Sequence, residues 1–393
     1  MLGNPLLRDL SVVVAVAAVA TLLCHRFKQP VVLGYLLAGI IVGPHMPTVS
    51  LVHNLASIQT MADLGIVFLM FALGLEFNLP GIRKVGLSAA LAAVVEVSFM
   101  LWAGYNLGRL LGWSPVESVF LGGILSISST TLIAKLLMDM RLAREDFAQF
   151  LFGILVLEDI AAVILVALVS GLGSGAGRET VGVMQALGKT GLFVILFIVL
   201  GLASVPRLLD WVANFRTREA LGIVSLGLCL AGASLGNIVV GSAALGAFLT
   251  GAIVAASREL SQIEAWIHPV RDMFSALFFV SAGMLVRPEL LWARRASILA
   301  LTLAVLAGKV FGGAAGSFIA GCPLKTSCRV GLGLAQIGEF SLVIASIGIA
   351  SGLVDHSLYG VAISVSFLTA LAAPRLVGSS DALAERALAA LPS

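Results

Sequence analysis

The chain has 393 residues, 59% of them hydrophobic and 11% charged, with a net charge of +3 and a mean hydropathy of +1.07. A soluble domain keeps about a quarter of its residues charged, so a water-soluble globule is excluded. A net charge this small gives no ground for a nucleic-acid partner.

The apolar residues come in runs of about 20 separated by polar breaks, the pattern of an all-α polytopic membrane protein surrounded by membrane lipid. The short alternating strands of a β-barrel are not seen. The run that follows Arg8 imitates a secretory signal, but the hydrophobic segments behind it mark it as a retained first span. The pattern predicts thirteen spans, near 9–25, 30–43, 57–76, 84–108, 116–137, 147–170, 184–206, 219–236, 239–257, 269–286, 295–320, 327–351 and 357–374. They form one transmembrane domain over residues 1–376, followed by a short cytoplasmic tail over 377–393.

Lys and Arg divide unequally between the two sides of this arrangement. With the N-terminus outside, 16 fall on the cytoplasmic side and 7 on the outer side, which favours N-out, C-in. The remaining basic residue, Lys309, lies deep inside a span.

The sequence also repeats itself. LGYLLAGIIV (33–42) and LGAFLTGAIV (245–254) lie 212 residues apart, and GILSISST (123–130) and GLAQIGEF (333–340) lie 210 apart. Each pair is separated by an odd number of spans, so the two halves are expected to be inverted repeats. In such proteins the binding site sits where the repeats meet, near the membrane midplane.

Four acids fall well inside spans: Glu96, Glu158, Asp159 and Glu339. Such residues are costly in a membrane and mark ion or proton pathways. Glu158 and Asp159 are adjacent, and helix neighbours point about 100° apart. One can therefore face a fixed partner while the other faces a water-filled cavity. Lys309 is the basic residue at that depth, and we assign it to Glu158, leaving Asp159 as the ion ligand. Glu96 has no evident partner in the sequence and is expected to be structural or to lie at the lipid interface.

The polar breaks supply further ligands. SISSTT (126–131) contributes Ser129, Thr130 and Thr131, and AQIGEF (335–340) contributes Gln336 and Glu339. Hydroxyls, amides and glycine allow a membrane helix to unwind and free its carbonyls for a cation. Glu339 is placed to compensate half-helix dipoles where two discontinuous helices cross. The five histidines lie in loops or near span ends. The four cysteines show no paired framework. No metal cluster beyond the transported monovalent cation, no nucleophile–base pair and no phosphate loop is visible, so neither an enzyme nor a cofactor is implied.

LGYLLAGIIVGP, LGIVFLMFALGLEF, SISSTTLIAKLL, LVLEDIAAV, LGAFLTGAIVAAS, LFFVSAGML and AQIGEFSLV together resemble the membrane domain of the Kef-type branch of the monovalent cation:proton antiporters. The resemblance covers about residues 10–373. It implies thirteen helices in a core and a dimerisation domain that move as an elevator, and a homodimer. It makes Asp159 the ion- and proton-binding carboxylate. The position before that acid is Asp in electrogenic sodium–proton members and Gln in gated potassium-efflux members, and Glu158 is closer to the two-acid type. Lys309 matches the membrane-embedded lysine of the family, and Glu339 the glutamate of its second broken helix. Potassium-efflux members carry a C-terminal nucleotide-binding domain that is not seen before Ser393, so gating by such a domain is not expected.

The sequence thus predicts a plasma-membrane antiporter exchanging Na⁺ or K⁺ for H⁺ by alternating access. The alternatives are a Kef-like potassium-efflux protein without its own regulatory domain, or an ion channel.

Overall fold

A computed structural model describes residues 5–27, 31–46, 51–52, 54–76, 86–173, 180–215 and 218–389. Regular secondary structure among these residues is helical throughout. The first helices are α1 (Pro5–Phe27), α2 (Val31–Val42), α3 (Leu55–Glu76), α4 (Leu87–Leu110), α5 (Pro115–Ser126), α6 (Thr130–Asp139) and α7 (Asp146–Gly173). After them come α8 (Thr180–Ala213), α9 (Arg218–Val240), α10 (Ala243–Val254), α11 (Leu260–Met284) and α12 (Pro288–Ala293). The last are α13 (Arg295–Ile319), α14 (Leu324–Leu334), α15 (Glu339–Ala350), α16 (His356–Gly378) and α17 (Ser380–Ala389).

Among the described residues, seven helices (α1, α4, α7, α8, α9, α13 and α16) are long and apolar enough to cross a membrane. Shorter apolar helices supply most of the other predicted spans. The fifth and twelfth predicted spans are each two helices, α5–α6 and α14–α15, on either side of a non-helical break. The sequence marks their boundaries. Pro115 opens α5 behind a capping box in which Ser114 and Glu117 satisfy each other's backbone N–H. Ser129 caps α6 and Ser242 caps α10, each through its hydroxyl.

The chain divides into two compact units built from interleaved segments. Unit 1 is Met1–Leu79 with Ser170–Pro288, and unit 2 is Pro80–Val169 with Glu289–Ser393.

In unit 1 the internal repeat shows as two matching helix crossings. α2 packs on α11 with Gly39 against Gly283, and α10 packs on α3 with Gly251 against Gly74. A side chain at Gly39 would collide with the Val280 carbonyl, and one at Gly251 with the Phe71 carbonyl. Glycine is needed here because the two backbones touch, the usual way for membrane helices to gain packing where lipid removes the hydrophobic drive.

Unit 2 repeats the device with other helices. α4 packs on α5 with Gly104 against Gly122, and α13 packs on α14 with Gly313 against Gly331. α4 and α13 also pack on one another. An apolar cluster that includes Ile133, Phe147, Leu151, Leu155, Val330 and Leu334 joins α6, α7 and α14. This core fixes the two breaks and the middle of α7 in one body.

Candidate functional site

The site lies wholly in unit 2, where the α5–α6 and α14–α15 breaks meet beside α7, α4 and α13. A break in a buried helix leaves N–H and C=O groups that must find partners. Each break supplies them for the other. Gly338 N–H donates to Ile127 O at 2.9 Å, and Ser128 Oγ donates to Leu334 O at 3.1 Å. The Gln336 amide works in both directions, its Oε1 accepting from Ser129 N at 2.9 Å and its Nε2 donating to Ser129 O at 3.3 Å. Ser341 Oγ donates to Ile124 O at 2.6 Å. A side chain at Gly338 would meet the Ser128 carbonyl, so the crossing needs glycine there.

α7 presents its two acids to different surroundings. Glu158 is fully buried, and its Oε2 accepts from Ser128 N at 2.6 Å. Asp159 is half-buried, and its Oδ2 accepts from Thr130 Oγ1 at 3.0 Å. The two adjacent acids thus differ in burial and in partners.

Lys309 arrives from α13 and is fully buried. Its Nζ donates to Ser126 O at 2.6 Å, Ser128 Oγ at 2.9 Å and Glu158 Oε1 at 3.5 Å. It lies closer still to Glu96 on α4, with Nζ 2.8 Å from Glu96 Oε1 and both side chains at 0% exposure. Here the structure corrects the sequence reading. Glu96 is neither partnerless nor at the lipid surface, and Lys309 does not belong to Glu158 alone. The signal was present: Glu96 and Lys309 are 213 residues apart, close to the repeat offsets of 210 and 212, so they are near-equivalent positions on two helices that pack together. The contribution of Ser126 and Ser128 was also missed, since it comes mostly through backbone groups.

Of the residues singled out in the sequence, Glu158, Asp159, Ser129, Thr130, Gln336 and Lys309 are brought together. Glu339 is the first residue of α15, directly after the break. The side chains of Thr131 and Glu339 lie outside the described residues.

This arrangement pairs a half-buried carboxylate and a hydroxyl with an extended backbone (Ile127 φ −109°, ψ 125°), next to a buried lysine that meets two buried carboxylates. Residues 13–378 match the family "Sodium/hydrogen exchanger, transmembrane". The chain belongs to the sodium/hydrogen exchanger family.

Curated relatives include K(+) efflux antiporter 5 of Arabidopsis thaliana, 30% identical over 379 residues, covering 94% of this chain and 66% of the relative. The K(+)/H(+) antiporter subunit KhtU of Bacillus subtilis is 28% identical and aligns over 88% of this chain and 86% of its own. The Na(+)/H(+)-K(+) antiporter GerN of Bacillus cereus is 27% identical, with 93% of each chain covered. The chain spans only 62–66% of the length of the three Arabidopsis K(+) efflux antiporters it matches. Among solved structures, the sodium proton antiporter MjNhaP1 of Methanocaldococcus jannaschii superposes with a TM-score of 0.70 at 14% identity, over 96% of this chain and 97% of that one. That likeness establishes the fold. The resemblance to the Kef-type branch is borne out by the family match and the named relatives.

Proposed function

We propose that this chain is a secondary antiporter that exchanges a monovalent cation, Na⁺ or K⁺, for H⁺ across the plasma membrane, with Asp159 alternately holding the proton and the cation. The observation that carries the reading is the contrast on α7, where a half-buried Asp159 with a hydroxyl partner follows a fully buried, tightly held Glu158. A carboxylate that exchanges ions must be reachable, and a carboxylate that shapes the site must not move. The naming of KhtU as a K(+)/H(+) antiporter subunit and of GerN as a Na(+)/H(+)-K(+) antiporter supports the same chemistry.

In this scheme the Ser129, Thr130 and Thr131 hydroxyls, beside the unwound backbone of 127–129, replace water around a bare cation, as polar groups at unwound transporter helices do. A proton on Asp159 removes the charge that holds the cation, so the two compete and neither leaks through. Glu158 keeps the break in place through Ser128 N. Lys309, on the carbonyl of the last residue of α5, opposes the negative end of that half-helix, and Glu339 with Gln336 serves the α14–α15 break in the same way. We further assign an N-out, C-in multi-pass orientation and a homodimer.

The test is transport by the purified protein in liposomes carrying a pH-sensitive dye, with Na⁺, K⁺ and Li⁺ added in turn. Cation-dependent proton movement in the wild type and none in Asp159→Asn is the expected result. Cation flux without proton movement would replace the antiporter with a channel.

A further inference from the structure

Unit 1 carries a surface groove between α1 and α2. α2 packs on α1, and Gly34 lets the two approach, since a side chain there would meet Cys24 Sγ and the Ala20 carbonyl. Thr21 Oγ1 and Tyr35 Oη share a hydrogen bond of 2.9 Å across the same pair of helices. The groove has a volume of about 370 Å³. Ala20, Gly34 and Ala38 form its more buried floor, and Val19, Leu23, Phe27, Leu37 and Ile41 stand exposed around it. None of the lining side chains carries a charge, an amide or a hydroxyl.

A pocket for a small metabolite sets a few polar groups into apolar walls to orient its ligand. This lining has none, so it suits hydrocarbon. Its length suits one leaflet. From Val16 to Phe27 the axis of α1 rises about 16 Å, and half of the bilayer's hydrocarbon core is about 15 Å. The groove ends at Val16, near where Val13 and Val42 enter an apolar cluster of unit 1. A transmembrane helix of a partner would need a track through both leaflets. Charge marks the other end. The last turn of α1 carries His25 and Arg26, both exposed, and Lys28 follows in the sequence. Arg26 lies three residues after Leu23 of the groove, a neighbour on the helix surface. In the N-out orientation this end is cytoplasmic, where the leaflet carries anionic lipid.

We propose that the α1–α2 groove binds one acyl chain of an anionic glycerophospholipid of the cytoplasmic leaflet, with the lipid phosphate beside Arg26. The groove selects for shape and Arg26 for charge. Bulk lipid is as apolar as the groove, so seating the chain gains packing and no release from water. Preference among lipids therefore comes from the headgroup. The site lies in unit 1, whereas the ion site lies in unit 2, so the inference does not rest on the transport reading.

Native mass spectrometry of the full chain reads retained lipid and oligomeric state together. The delipidated protein in detergent is given equal dioleoylphosphatidylglycerol and dioleoylphosphatidylcholine, whose chains are identical and whose headgroups differ in charge. The wild type should retain phosphatidylglycerol in preference, one per chain. Arg26→Gln should lower that preference about fivefold, the share of one basic residue near the surface. Ala38→Phe fills the groove and should lose the retained lipid of both kinds, while Leu303→Phe, on an exposed position of α13, should keep it. No retained lipid in the wild type, equal retention of the two lipids, or an Arg26→Gln variant as selective as the wild type would overturn the proposal. So would an Ala38→Phe variant that keeps its lipid and loses a dimer, since a second copy would then cover the groove.

Thermal unfolding in detergent gives a second readout. A ligand that binds the folded state raises its stability by mass action. Phosphatidylglycerol should raise the Tm of the wild type more than phosphatidylcholine does, and should not move that of Ala38→Phe. The variant L23A/F27A removes two exposed walls without touching the floor, so it tests the groove even where the larger side chain hinders folding. It should respond to phosphatidylglycerol less than the wild type. A response equal to the wild type in both variants would also overturn the proposal.

Discussion

Unit 2 holds two clusters of charge that look alike on paper and differ in what surrounds them. At the break, Lys309 meets Glu96 and Glu158 with every side chain at 0% exposure. At the polar end of α14, Lys325 meets Asp381 and Glu385 of α17 at 2.9 Å each, with side chains 40–62% exposed. Nearby, Arg329 reaches Glu145 and lies over the Phe147 ring. The exposed distances are as good as the buried ones. Distance therefore does not rank the two clusters, and desolvation does: water competes for every exposed ion pair, while a buried charge that loses its partner has nowhere to turn.

Substitutions should separate the clusters in a fixed order. Asp159→Asn should have the largest effect, complete loss of exchange in a protein that still folds and inserts, because an amide neither takes up a proton nor balances a cation. Proton flux in liposomes above the empty-vesicle level would break the assignment. Lys309→Ala comes next. Removing one partner of a buried pair typically costs about 3–5 kcal/mol, so thermal unfolding in detergent should shift strongly, and more than for Lys325→Ala. Equal shifts for the two lysines would erase the contrast between the clusters. Thr130→Val removes one neutral ligand from Asp159. A lost hydrogen bond of about 1.4 kcal/mol is a tenfold change in binding, so apparent cation affinity should fall by up to about tenfold while the maximal rate changes less. An unchanged affinity would leave Thr130 a purely structural residue at the start of α6.

The broken spans, the adjacent acids and the lysine were legible because each is a polar interruption in an apolar run, where any polar residue is costly. Partner choice was harder to read. Lipid is as apolar as a packed core, so hydrophobic periodicity does not mark which face of a membrane helix is buried. Glu96 accordingly looked isolated on its span, though its offset from Lys309 matched the repeat. The glycine crossings show the same limit. The likeness of LGYLLAGIIV to LGAFLTGAIV was evident, but that Gly39 meets Gly283 while Gly251 meets Gly74 depends on which helices cross. Among so many glycines, spacing alone does not decide it.

The exposed cluster carries the smallest prediction, and its sign can be worked out from both partners. Hydrogen bonds from Lys325 to Glu385 and Asp381 hold the Lys325 ammonium above its ordinary 10.5. The hydrogen bond from Lys325, with the charges of Lys325 and Arg329, holds the Asp381 carboxyl below its ordinary 3.8. The lysine's contribution is complete below its unfolded value and is lost as pH rises through the folded one. The aspartate's contribution is complete above its unfolded value and is lost as pH falls through the folded one. Docking of α17 on α14 should therefore be constant across neutral pH and weaken only at the acid and alkaline extremes. Added salt should loosen it at every pH, since exposed pairs are screened. Protease cleavage in α17, followed against pH and salt, reads this directly. Lys325→Ala should raise cleavage modestly and leave exchange at the break unchanged. A loss of exchange in that variant would mean that the two clusters, so different in burial, act as one.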